Sequence, residues 1–275
     1  MAYSFLYLVS MLVKGEEAVV LAYHSVDFNG SFYTVAPPEF YRQMEFLRRN
    51  YNIVPIEDIV DFATGRKRSL GKLVAITLDD GYEDNFSYVY PYLKRHGLPA
   101  TIFVSTGYVG QQFPLDGFSL KMLRWDQIVE MSRNNVAIGA HTVTHPDLRK
   151  ETHVNARKNI MMSKKEIERK TGKPAKYVAY PYSRFNCEII ELVRSLGFEG
   201  AFGGDGLVQR GDCTLALNRI QVDRSISFLM FRARMTKARL WYDQGRRWLR
   251  NLRRIHFVSV VYDKCEANVR NYGGN

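Results

Sequence analysis

Short runs of β-branched and aromatic residues alternate with amphipathic stretches along most of this chain, and that alternation constrains the fold more than any other feature. Strands recurring between helix-length segments form successive βα units, which assemble into a parallel sheet covered by helices. The strand candidates are 18–23, 51–55, 73–78, 100–105, 136–140, 177–181 and 200–203, with an eighth at 215–222. Helix candidates at 85–96, 151–171 and 186–196 are closed by Gly97, Gly172 and Gly197. Glycine suits these stops because it adopts positive φ without a Cβ clash. Seven or eight strands in this order predict an α/β barrel. No linker or repeated block interrupts the series, so residues 18–223 read as one domain. The longest loop, 107–121, could fold over a site at the barrel mouth.

Two flanking segments stand apart. Residues 1–17 are mostly apolar, with no basic residue ahead of the run Tyr3–Val13, which is too short to span a bilayer. They read as an N-terminal docking helix. No cleavable signal or transmembrane helix is evident, which fits a cytoplasmic or peripheral membrane location. The net charge of +11 is concentrated: ten of the 39 basic side chains but one of the 28 acidic ones lie between Arg224 and Arg254. The rest of the chain is nearly balanced, which argues against a nucleic-acid partner. In that basic segment Trp241, Trp248, Leu252 and Ile255 fall at helical spacing beside arginines. Residues 224–275 therefore read as a basic amphipathic extension that packs on the barrel, with peripheral membrane or anionic-polymer contact through residues 224–255 as the alternative. The three cysteines are odd in number and widely spaced, so neither a disulfide framework nor a cysteine zinc site is indicated.

In a β/α barrel the loops leaving the C-terminal ends of the strands gather on one face, so chemically suitable residues there carry the most information. Asp79 and Asp80 follow the strand at 73–78, and His141 and His145 follow the one at 136–140. Adjacent carboxylates repel unless a cation or hydrogen bonds compensate them, although Asp-Asp-Gly also suits an ordinary turn. Two histidines four residues apart share one face of a helical turn and can reach one ion. Together they make a two-histidine, one-carboxylate set with positions left open for water and a substrate oxygen. Neighbouring strand residues face opposite ways, so only one of the two acids points at the ion with His141 and His145. The other is left free to accept a proton from water.

These residues resemble the motifs of the NodB-like polysaccharide deacetylases. That family's Thr-Phe-Asp-Asp-Gly stands here as Thr77-Leu78-Asp79-Asp80-Gly81, its His-[Ser/Thr]-x-x-His as His141-Thr142-Val143-Thr144-His145, and its Pro-Tyr as Pro181-Tyr182. The resemblance implies a distorted (β/α)7-type barrel, Asp79 as general base, and Asp80, His141 and His145 as metal ligands. It further implies that the Tyr182 backbone N–H helps bind an oxyanion, with Pro181 and Tyr182 beside the substrate. Trp125, Phe113, Tyr108 and Phe118, in or next to the long loop, are weaker candidates for stacking on a sugar ring, and core packing explains them equally well.

Two departures from the family pattern shift the expected helpers. The arginine common before Pro-Tyr is replaced by Ala179-Tyr180, so another residue must orient Asp79; Arg219 is the first candidate, Arg184 the second, and a plain surface role for Arg219 stays open. The late Leu-x-His motif that supplies the general acid is not found near the barrel's end. His24, in Leu21-Ala22-Tyr23-His24-Ser25, resembles a histidine of the poly-N-acetylglucosamine deacetylase subgroup and is the candidate proton donor, with a core histidine as the rival reading. Imidazole titrates near neutrality and suits that task. The expected function is metal-dependent hydrolysis of N-acetyl groups on amino sugars of a polysaccharide or glycoconjugate, with one divalent ion, zinc first and cobalt or nickel as alternatives. The rivals are an O-acetyl (xylan-type) esterase, a non-sugar amidohydrolase, and a silent glycan-binding protein.

Overall fold

The computed structural model describes residues 17–67, 71–115 and 117–236. In chain order its strands are β1 (Glu17–Tyr23), β2 (Ser25–Val26), β3 (Thr34–Val35), β4 (Asn52–Ile53), β5 (Lys72–Leu78), β6 (Ala100–Val104), β7 (Gln112–Leu115), β8 (Phe118–Lys121), β9 (Val136–Ala140), β10 (Tyr177–Ala179), β11 (Gly200–Phe202) and β12 (Ile220–Gln221). The α-helices are α1 (Pro37–Asn50), α2 (Ile56–Ala63), α3 (Tyr90–His96), α4 (Trp125–Arg133), α5 (His153–Thr171), α6 (Cys187–Ser195) and α7 (Phe228–Arg234). The main sheet runs β11-β10-β9-β6-β5-β1-β12, with β4 paired to the start of β5. Its pairs are all parallel. Leu217 bridges to Phe202 of β11 while Ile220 and Gln221 pair with β1, so one short segment draws the two ends of the curled sheet together. This is the expected distorted (β/α)7-type barrel.

Side-chain alternation sorts the strands into two buried faces. Leu73 and Ala75 of β5 join an inner cluster with Ala18, Val20, Phe103, Tyr177, Ala179, Phe202 and Leu217, plugged from one end by Ile56, Ile59 and Val60 of α2. Val74, Ile76 and Leu78 face the outer cluster beneath the helices, with Val19 and Leu21 of β1 and Val136, Ile138 and Ala140 of β9. Burial on both faces explains why the strands read as continuous apolar runs. Carried past the strand ends, the inner parity of 73, 75 and 77 reaches Asp79, and that of 137 and 139 reaches His141. Gly139 leaves room for Phe103, whose ring a Cβ there would strike.

Several boundaries differ from expectation for identifiable reasons. The segment 85–96 opens as a π-helical turn, Asn85–Val89, before α3; Pro91 lacks the N–H that a regular α-helix would use at that point. Thr152 and Asn186 act as N-caps, their side chains accepting from Asn155 N–H and Ile189 N–H, so α5 and α6 begin after them. The expected strand 215–222 contains a 3₁₀ turn, Thr214–Ala216, followed by the short β12. The loop 107–121 is not structureless: it contains the antiparallel hairpin β7–β8. The expected N-terminal helix lies outside the described residues apart from Glu17, which begins β1. Most of the basic extension, from 237 onward, is outside them too. Within its described part, α7 packs Phe231 into the core against Phe46. Among the described residues no helix is long and apolar enough to cross a membrane.

Candidate metal centre

Asp80, His141 and His145 converge at the C-terminal ends of β5 and β9, their ligand atoms all within 4.8 Å of one another. Asp80 Oδ1 lies 3.4 Å from His141 Nε2 and 3.3 Å from His145 Nε2. The helical turn expected to bring the histidines together is absent. The segment is an irregular loop in which Thr142 (φ 66°) and His145 (φ 53°) are left-handed, the Thr142 hydroxyl accepts from His145 N–H at 3.0 Å, and the Asn159 side-chain oxygen accepts from Val143 N–H and Thr144 N–H. Nor does strand alternation separate the two acids. The strand ends at Leu78, and Asp80 turns back at φ 68°, a conformation costing a non-glycine residue about 1–2 kcal/mol. Both carboxylates consequently enter the same site.

The donor chemistry fits a cation. His141 Nδ1 sits 2.8 Å from the Ala179 carbonyl, which accepts a hydrogen bond from Nδ1–H and leaves Nε2 as the atom facing Asp80. Asp80 Oδ2 accepts from the buried Tyr82 hydroxyl at 2.9 Å, while Oδ1 is buried without a hydrogen-bond partner among the described residues. Burial lowers the basicity of His141, yet the close approach of Asp80 and the Asp79 and Asp80 charges outweigh this and raise its pKa. Burial, opposed by Asp80, brings His145 down to about 4. Burial opposes ionisation of Asp80 as well, and the two histidines nevertheless hold its pKa well below the usual carboxylate range. The site thus asks for positive charge beside Asp80, which a divalent ion supplies.

Asp79 is held separately. Arg219, fully buried, grips it with two 2.7 Å bonds, Nη1 to Oδ1 and Nη2 to Oδ2, and places Nη1 3.4 Å from the Thr77 hydroxyl. The guanidinium carbon lies 5.7 Å from the Phe103 ring centroid. Burial raises the Asp79 pKa, but the Arg219 and His141 charges prevail and set it below the ordinary value. Arg219→Met should therefore cost about 3–5 kcal/mol of stability at neutral pH, because a buried carboxylate loses its only close guanidinium among the described residues. Since the folded pKa is depressed, the pair's contribution is complete above the unfolded value of about 4 and fades as pH falls through the folded value. Urea denaturation should show the gap between variant and wild type widest near pH 7 and narrowing below pH 4; equal midpoints at pH 7 would contradict this account.

Among the other sequence candidates, His24 is half-buried between the end of β1 and the start of β2, near enough to Asp79, Asp80 and His145 to bear on their protonation. Pro181 is buried, and Tyr182 (φ 58°) lies in a 3₁₀ turn with its ring 58% exposed and 4.6 Å, centroid to centroid, from His145. Arg184 pairs with Asp147 at 3.1 Å, not with Asp79. Trp125 opens α4 and lies under the Lys170 ammonium, 5.6 Å from its ring, packed against the core of the helical layer. One contributor had no distinguishing signal in the sequence, Tyr82, which holds Asp80; Phe113 of β7, one of the long-loop aromatics, is buried and its ring meets Tyr82 at 6.3 Å and His145 at 5.8 Å.

Known proteins resemble this chain in sequence and in fold. Residues 66–201 match a sequence profile described as polysaccharide deacetylase. YxkH of Bacillus subtilis (strain 168), assigned to that class, is 29% identical over 222 residues, 80% of this chain and 76% of its own. A poly-β-1,6-N-acetyl-D-glucosamine N-deacetylase of Staphylococcus aureus is 24% identical over 220 residues, covering 69% of this chain and 72% of that protein. Among solved structures, IcaB from Ammonifex degensii superposes with a TM-score of 0.72 at 27% identity, over 81% of this chain and 98% of that one. The Streptococcus pyogenes deacetylase PplD matches in fold at 23% identity, with a TM-score of 0.71 over 80% of this chain and 98% of its own.

Proposed function

Because the chain belongs to the polysaccharide deacetylase family, whose members hydrolyse N-acetyl amide bonds, we propose that it removes acetyl groups from N-acetylglucosamine-type units of a polysaccharide or glycoconjugate. The observation that carries this reading is the convergence of Asp80 Oδ1 with the two Nε2 atoms at 3.3–3.4 Å, next to a separately anchored Asp79. Asp80, His141 and His145 would hold the ion. Two imidazoles and one carboxylate suit zinc first, with cobalt and nickel as alternatives. When bound, the ion supplies Lewis acidity toward an acyl oxygen and lowers the pKa of water.

The chain's own groups divide the remaining work. Arg219 keeps Asp79 ionised and fixed, so its carboxylate takes the proton of the attacking water. The Tyr182 backbone N–H donates to the oxygen that gains charge as the acyl carbon becomes tetrahedral. His24 donates a proton to the departing nitrogen so that a free amine and acetate result. Pro181 and the exposed Tyr182 ring form the edge against which a sugar would rest. The likeness to a protein named for β-1,6-linked N-acetylglucosamine supports that linkage as the first to test.

The test is acetate release from β-1,6-linked and β-1,4-linked N-acetylglucosamine oligomers and from acetylated xylan, each with zinc, cobalt or nickel. Release from the amino-sugar oligomers, with β-1,6 linkages preferred, is expected. Release from xylan alone would make the protein an O-acetyl esterase, and no release from any polymer would point to a non-sugar amide or to glycan binding without turnover.

A further inference from the structure

His24 lies between the end of β1 and the start of β2, and its ring lies against Tyr33, with centroids 5.1 Å apart. Its Nδ1 is buried and has no hydrogen-bond partner among the described residues. Histidines that move protons are commonly oriented through their second nitrogen. Here that hold is missing, and the backbone on both sides of His24 is fixed instead. On the upstream side, the Tyr23 carbonyl accepts from Asp79 N–H at 2.9 Å. At His24 itself the carbonyl accepts from the Asn85 side-chain amide at 2.9 Å. Downstream, one Asp84 oxygen accepts from Val26 N–H at 2.9 Å and the other from the Ser25 hydroxyl at 2.7 Å. Asn85 also donates to Asp84 at 2.8 Å, joining both holds into one unit.

We infer that Asp84 and Asn85 are positioning residues for His24: together they clamp residues 24–26 onto the turn that follows β5 and thereby aim the imidazole at the Asp79–Asp80 site. The inference rests on the reading of His24 as proton donor. A buried carboxylate is expensive to retain, and burial, offset in part by the Val26 and Ser25 hydrogen bonds, pushes the Asp84 pKa up to about 6. Apolar packing would fill the same space without that cost. The return is placement, because a proton donor must lie within hydrogen-bond reach of the departing nitrogen. The π-helical turn that begins at Asn85 follows directly, so the local irregularity of this helix sits at the clamp.

A double-mutant cycle separates this role from general support of the fold. Turnover and bound metal are measured for wild type, Asp84→Asn, His24→Asn and the double variant. Asp84→Asn is expected to lower kcat about tenfold in the His24 protein and less than about twofold when His24 is already Asn, the non-additivity expected of residues that act as a unit. Metal content stays at one ion per chain in all four. Equal losses in both backgrounds, full turnover of Asp84→Asn, or loss of its metal would overturn the inference. Full turnover of the His24→Asn single variant removes the proton-donor reading itself, an outcome visible without Asp84. Should Asp84→Asn fail to fold, Ser25→Ala removes one bond of the clamp. It should lower kcat about threefold with the same dependence on His24.

Discussion

Replacing Asp80 by Ala should abolish metal binding and acetate release together. Asp80 supplies the only carboxylate of the cluster, and its Oδ1 is the atom toward which both Nε2 atoms point. The substitution removes both oxygens, Oδ2 with its bond from the Tyr82 hydroxyl as well as Oδ1. Asp79 is locked by both oxygens onto Arg219 and is a poor replacement ligand. Loss of a residue that merely supports a metal ligand costs about 10–100-fold in affinity or activity, so loss of the ligand itself should weaken binding at least a hundredfold. Metal per chain after dialysis and acetate release with added zinc, measured on the same preparation, check this. Wild-type release by the Asp80→Ala protein would remove the metal scheme altogether.

The strands, the helix stops and the inward placement of Asp79 and His141 were legible because they depend on period and on glycine chemistry. Alternation counted from Leu73 or Ala137 reaches the site residues directly. Asp80, Thr142 and His145 were a different matter. Each needs positive φ without being glycine, and no residue in their vicinity advertises that. The histidine pair was therefore found for an inexact reason: a helical spacing suggested it, while a loop pinned by Asn159 and Thr142 creates it. Arg219 emerged from a gap in a motif, but its bond to Asp79 depends on the sheet closing through β12, a contact 140 residues apart in sequence. The hairpin β7–β8 and the Asp84–Asn85 clamp were hidden for a similar reason. Tyr82, Asp84 and Asn85 have ordinary local contexts, and only the tertiary structure sets them against Asp80 and His24, as it sets the long-loop Phe113 against His145.

Asp79→Asn should separate chemistry from metal binding. The amide matches the carboxylate in shape but cannot accept a proton from water, and loss of a positioned general base lowers turnover about 10²–10⁴-fold. Metal content should stay at the wild-type level, because Asp79 is not one of the three converging ligands. The substitution also has a structural cost that must be kept apart from the catalytic one. Arg219 would face an amide where two charged oxygens now stand 2.7 Å from its Nη atoms, leaving a buried guanidinium partly uncompensated at about 3–5 kcal/mol. Turnover is therefore referred to the folded, metal-loaded fraction, measured by denaturation midpoint and by metal per chain. If that corrected turnover stays within tenfold of wild type, Asp79 serves to neutralise Arg219 and the water is deprotonated elsewhere. If it falls a hundredfold or more with metal retained, the Arg219 grip is what keeps a buried base ionised beside the ion, and the two adjacent acids have the separate tasks that their different partners imply.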